Sequence, residues 1–233
     1  YLIERTDEAR GPKRASSGGR KRRRSGRSRV DVDDIEFPGV APATASKLRT
    51  RLGEAAAAFE AERFTEASRL LASIERLSPG VPEVLELTGL TEYRLGRWVR
   101  ALTQLERFAE LTGSVEQHPV MADCCRALRR WTRAEDLWHE LGETSPAPEL
   151  IEEGRIVQAG TLADRGRLDD AIRFMERAPA VKGKPGVHHL RRWYMLADLY
   201  ERAGDPARSR RLFGDIVRAD PAFGDAAERA SSL

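Results

Sequence analysis

Five short segments of this chain resemble one another and recur at nearly even intervals, and no other feature constrains the fold as tightly. They are Glu62-Arg63-Phe64, Gly96-Arg97-Trp98, Arg129-Arg130-Trp131, Gly166-Arg167-Leu168 and Gly204-Asp205-Pro206. Three residues beyond each comes a small side chain: Ala67, Ala101, Ala134, Ala171 and Ser209, spaced by 34, 33, 37 and 38 residues. Gly96, Gly166 and Gly204 stand where the end of a helix favours a left-handed residue. A small residue at a fixed offset marks a place where two helices approach closely. The ruler therefore predicts paired helices, each pair too small to bury its apolar face alone and stable only when stacked on its neighbours.

Composition agrees with helices. Ala, Leu, Arg and Glu dominate, and all are strong helix formers. Val, Ile and Thr are sparse, and no Asn-Gly or Asp-Gly turn separates alternating apolar runs, so a β-rich fold has little support. Apolar residues make up 40% of the chain and aromatics 6%, lean for a globular core but enough where each helix buries one stripe. The fold class is read as all-α.

The repeats resemble those of the tetratricopeptide family, whose unit is 34 residues long with a Trp-x2-Leu-Gly-x2-Tyr…Ala-x3-Phe…Pro pattern. Trp193, Leu196, Ala197, Tyr200, Phe213, Ile216 and Pro221 carry the resemblance in the last repeat. Gly89, Trp98, Ala101 and Leu105 carry it in the second, and Met121, Ala122, Trp131, Ala134 and Trp138 in the third. Pro79, Pro146 and Pro221 close three repeats. Thr88, Glu92 and Ser209 depart from the family's residue types, and a longer Gly183-Lys184-Pro185-Gly186 loop precedes the last repeat. The resemblance implies a right-handed superhelix of about five helix-turn-helix repeats over residues 47–233, ending in a short capping helix. With its basic arm, the chain also resembles tetratricopeptide proteins of high-GC actinobacteria.

Charge divides the chain. Its net of +3 splits into +10 for residues 10–29, −2 for residues 1–9 and −5 for residues 30–233. Residues 1–29 form a basic tail, rich in Gly and Ser, that is expected to be disordered because it has too little apolar surface to offset ordering entropy. Residues 30–46 read as an acidic linker, with Val32, Ile35 and Phe37 available to dock on the body. Arg20, Lys21, Arg22, Arg23, Arg24, Arg27 and Arg29 are candidates for neutralising nucleic-acid phosphates or an acidic partner.

No stretch approaches the roughly 18 uninterrupted apolar residues of a membrane span, and residues 1–10 lack the apolar core of a secretion signal, so a cytoplasmic location is expected. Tyr1 in place of Met points to a natural start further upstream. Cys124 and Cys125, about 100° apart on a helix, cannot adopt disulfide geometry. Nor can they share an ion with His118 and His139 at usual zinc spacings, and no metal or other cofactor is expected. Gly183-Lys184 is followed by Pro185, which rules out a phosphate loop, and His139-Glu140 lacks the second His of a zinc protease. The chain is not expected to be an enzyme.

The four tryptophans fall on repeat positions that predict core packing. The opposite stripe of the first helices, which in the family faces a concave groove, carries Glu86, Leu90, Tyr93 and Arg94, then Asp123 and Arg126, then Arg191, Tyr194, Asp198 and Arg202. Of these, Tyr93, Arg94, Asp123, Arg126, Tyr194, Asp198 and Arg202 are the candidate groove for a protein or peptide partner, with exposed tyrosine rings supplying contact area. The carboxylate clamp of some relatives is not carried over, since Leu52, Ala56 and Leu87 occupy its stripe. The expected role is a scaffold that holds a partner protein, with nucleic-acid association through the tail as the alternative.

Overall fold

The computed structural model of the protein describes residues 32–144 and 146–233, so the tail with its candidate residues Arg20 to Arg29 lies outside the described residues. Among the described residues there are eleven α-helices and no strand. In chain order these are α1 (Pro42–Glu60), α2 (Phe64–Glu75), α3 (Pro82–Arg94), α4 (Trp98–Thr112), α5 (His118–Ala127), α6 (Trp131–Glu143), α7 (Pro148–Asp164), α8 (Leu168–Glu176), α9 (Val187–Arg202), α10 (Pro206–Ala219) and α11 (Ala226–Ser232). The chain divides into two compact units, whose described parts are residues 32–140 and 141–233.

The ruler holds in all five hairpins. Glu62, Gly96, Arg129, Gly166 and Gly204 each take a positive φ between 56° and 78°. At each, the next residue's N–H reaches back five positions: Arg63 to Ala58, Arg97 to Glu92, Arg130 to Cys125, Arg167 to Leu162 and Asp205 to Tyr200, at 2.8–3.0 Å. This is the Schellman closure, which satisfies the last carbonyls of the first helix and turns the chain into the second. Glycine occupies three of the five positions; Glu62 and Arg129 adopt the left-handed conformation with a side chain.

The fourth residue of every second helix is Ala67, Ala101, Ala134, Ala171 or Ser209, and all five are buried. Ala55, Gly89, Ala122, Ala159 and Ala197 recur at the same spacing in the first helices and are buried too. A Cβ built on Gly89 would lie 2.5 Å from Leu105 on α4, so that crossing leaves no room for a methyl group. Proline within the first turn opens α1, α3, α5, α7 and α10, where its missing N–H is not needed.

In the first unit, Ile35 and Phe37 join Leu48, Leu52, Leu71, Ile74, Val81 and Val84 in one core, with Val32 packed against it. Arg49 Nε donates to the Ile35 carbonyl at 2.9 Å, and Ser78 Oγ donates to that of Pro38 at 3.1 Å. The expected docking of the linker is thus present, and it covers the apolar side of α1 and α2. α1 itself begins at Pro42, inside the span read as linker. In the second unit, one core gathers Ile156, Leu162, Ala171, Met175, Met195 and Leu199, and another gathers Leu190, Phe213, Ile216, Phe223 and Ala226. The second core seats α11 as the expected terminal cap.

The expected core packing of the tryptophans is only partial, and two of the departures from the family pattern find partners. All four tryptophans are only half-buried, Trp98 and Trp131 as the first residues of second helices and Trp193 packed against the core that seats α11. Thr88 and Glu92, departures from the family pattern, are buried and hydrogen-bonded. Thr88 Oγ1 donates to the Val84 carbonyl at 2.6 Å, and Glu92 accepts from Ser68 at 2.5 Å and Arg97 at 3.2 Å.

Candidate functional site

The stripe singled out on the first helices is more tightly bound into the protein than the sequence suggested. In the first unit, Tyr93 in the last turn of α3 is 5% exposed. Its ring meets Trp98 edge-on at 5.4 Å, and its hydroxyl donates to Asp123 Oδ2 on α5 at 2.7 Å. Asp123, also buried, accepts on its other oxygen from Arg126 Nε at 2.8 Å. The phenol therefore ties one repeat to the next.

The same holds in the second unit. Tyr194 on α9 is 4% exposed, packs edge-on against Phe213 at 5.3 Å and donates to Asp225 Oδ1 at 2.5 Å. Arg229 on α11 lies over the Phe213 ring at 4.5 Å and donates to Tyr194 Oη at 3.0 Å, to Asp198 at 3.1 Å and to Glu201. The three acceptors together hold the guanidinium charged more firmly than usual, against the opposing effect of burial. Burial and the bond to Asp225 push the Tyr194 phenol above its ordinary range, with Arg229 opposing.

The exposed tyrosine rings expected in the groove are accordingly corrected: Tyr93 and Tyr194 are buried struts, and Asp123 is buried between Tyr93 and an arginine. The reason is that each phenol finds a carboxylate on or beside a later helix, and the pair is shielded by an aromatic ring. Period-3.6 counting gives the face of a helix but not what the next helix sets against it.

What the stripe offers to solvent is mainly arginine and Leu90, with Glu86 and Asp198 partly exposed beside them. Arg94 stacks over Phe64 at 4.5 Å and reaches Glu62 at 3.7 Å, remaining partly exposed. Arg126 is 13% exposed, Leu90 is half-buried, and Arg202 is exposed. Glu86 accepts from Gln117 Nε2 at 2.7 Å; burial raises its pKa while that hydrogen bond opposes the rise. Arg191 donates to Glu153 at 2.7 Å. Arg229 and Asp225, which complete the second network, escaped the sequence reading. The available signal was Arg229 itself, the one cation after Arg218.

The cysteines are buried, and burial raises both thiols, Cys125 to about 11 and Cys124 further, so neither is a thiolate nucleophile at neutral pH. His118 Nε2 lies 3.0 Å from Glu140 Oε2, and Arg133 donates to the same carboxylate at 2.6 Å. Among the described residues, no three His, Cys, Asp or Glu side chains are grouped to hold a metal ion, and no helix is long and apolar enough to cross a membrane.

Residues 52–114 match the tetratricopeptide repeat family. Several solved structures share the fold over most of this chain. A thermophilic tetratricopeptide repeat protein from Thermus thermophilus is 18% identical, with a TM-score of 0.62 over 79% of this chain and 97% of that one. A tetratricopeptide repeat protein from Parabacteroides merdae is 14% identical, with a TM-score of 0.59 over 81% and 73% of the two chains. MamA from Desulfovibrio magneticus is 15% identical, with a TM-score of 0.57 over 76% and 96%. No curated protein matches the sequence. The fold is that of the tetratricopeptide repeat proteins.

Proposed function

We propose, taking the tetratricopeptide fold as the premise, that this chain is a non-enzymatic scaffold whose first-helix stripes hold a partner protein or peptide. The observation that carries this reading is the locked network of Tyr93, Asp123 and Arg126. It joins adjacent repeats, beside which Arg94, Arg126 and Leu90 remain partly exposed. Such a surface loses little side-chain entropy on binding, because Arg94 is already stacked on Phe64 and Arg126 already paired. In the first unit its chemistry suits an acidic, amphipathic segment, whose carboxylates meet Arg94 or Arg126 while an apolar side chain meets Leu90; in the second unit Arg202 offers a carboxylate the same charge.

Buried Tyr93, Asp123 and Tyr194 act in this reading by positioning the surface, and Asp198 does so through Arg229. The nucleic-acid alternative gains no support from the fold or from the similar structures, and its tail residues lie outside the described part of the chain. The test is affinity purification from native cells with the intact chain, with Leu90→Asp, with Arg202→Glu and with residues 1–29 deleted, each with nuclease treatment. Partners held by the stripes survive the deletion and the nuclease and are lost with Leu90→Asp or Arg202→Glu. A partner set that ignores both substitutions refutes the groove.

A further inference from the structure

The loop that lengthens the last repeat builds one wall of a cleft in the second unit. The cleft, about 300 Å³, is lined by Met175 at the end of α8, Pro179 and Val181 on the loop, Trp193 and Leu196 on α9, and Leu212 on α10. That volume lies at the lower end of the range typical of small-molecule sites.

The lining is mixed, and two ionised side chains stand in it, Arg192 and Glu176. Arg192 is 5% exposed, yet it lines the cleft. Its Nη1 donates to Glu152 Oε1 at 2.7 Å, and among the described residues this is its one hydrogen bond. A guanidinium has five N–H donors, so most of its donor capacity is unspent. Donors left unused on a largely buried guanidinium favour an acceptor, above all an anionic one, that can enter the cleft.

The charge of the surrounding loop points the same way. Residues 177–186 carry Arg177, Lys182 and Lys184 and no acid, and all three cations are exposed. The carboxylate on the rim, Glu176, is already engaged by Tyr200 Oη at 2.6 Å and Arg208 at 3.2 Å. Trp193 and Leu196 supply apolar contact for the rest of an occupant.

We propose that this cleft binds a small carboxylic acid with a short apolar or aromatic body, its carboxylate on Arg192 and its body against Trp193, Leu196 and Leu212. The site is distinct from the first-helix stripes, so it stands whether or not those hold a partner.

The probes are 3-phenylpropionate and its uncharged analogue 3-phenylpropanol, added to the full chain. The reporter is the indole N–H signal of Trp193 in two-dimensional NMR, assigned with Trp193→Phe. The expected result is a saturating shift with a Kd of about 1 mM for the acid and binding at least about tenfold weaker for the alcohol. Ala180→Phe, on the exposed loop, fills the cleft and abolishes the shift, and the Lys182→Ser/Lys184→Ser pair weakens acid binding about threefold at low salt. Both loop variants avoid the risk that Arg192→Gln unfolds the protein by leaving buried Glu152 only its longer pairing with Arg155, at 3.4 Å. No shift at about 20 mM acid overturns the site, as do equal affinity for the alcohol or undiminished binding by Ala180→Phe.

Discussion

The hydroxyl of Tyr93 on α3 donates to Asp123 on α5 across 2.7 Å, joining two successive repeats through a buried phenol and a buried carboxylate. Tyr93→Phe keeps the ring against Trp98 but removes a donor from a buried charge, and is expected to cost about 1–3 kcal/mol. Asp123→Asn in the same background should then cost less than it does alone, because the two changes act on one bond. Urea denaturation of the two single variants and the double variant measures this. Simple additivity refutes the coupling.

At Gly89 the crossing of α3 and α4 has no spare volume, since an added Cβ would sit 2.5 Å from both Leu105 Cγ and Cδ2. Alanine is the better helix former by about 1 kcal/mol, yet overpacking costs about 1–3 kcal/mol, so Gly89→Ala should be destabilising on balance. A rise in thermal midpoint would show that Leu105 can shift without penalty.

Glu62 and Arg129 hold φ values of 59° and 56° at two of the five hairpin turns, where the other three use glycine. A side chain in that region is strained, so Glu62→Gly and Arg129→Gly are each expected to stabilise by about 0.5–1 kcal/mol. Arg129→Gly is the cleaner test, because Glu62 also meets Arg94 at 3.7 Å. A loss of stability in thermal unfolding by Arg129→Gly contradicts the strain argument.

His118 gives stability a pH dependence of known sign. Burial holds its imidazole below the ordinary 6.5; the bond to Glu140 opposes that shift and the Arg133 charge adds to it. The unfolded chain therefore takes up the proton more readily than the native one. The contribution is fully present above 6.5 and is lost as pH falls through the lower native value. Urea midpoints measured between about pH 7.5 and 5.5 should decline on acidification, and His118→Gln should flatten that decline. An unchanged slope in the variant places the titrating group elsewhere.

Much of the architecture was legible in the sequence because it rests on local chemistry repeated five times. A left-handed residue after each first helix and a small residue three places into each second helix have to recur wherever two helices turn back and touch. Ala67, Ala101, Ala134, Ala171 and Ser209 are accordingly all buried. Docking of Ile35 and Phe37 was readable for the same kind of reason, as apolar residues in an otherwise acidic stretch beside an open helical edge. Helical periodicity also placed Tyr93 and Tyr194 on the expected stripe. Whether a side chain on that stripe meets solvent depends on what stands opposite, and the opposing groups come from 30 residues away in Asp123 and 31 residues away in Asp225. The cleft under the 177–186 loop arises likewise, since Arg192 is held by Glu152, 40 residues earlier in the chain. A one-dimensional period carries no information about such distant pairings. Only the packing of one repeat on the next turned the tyrosines into struts and set a buried arginine in the wall of the cleft.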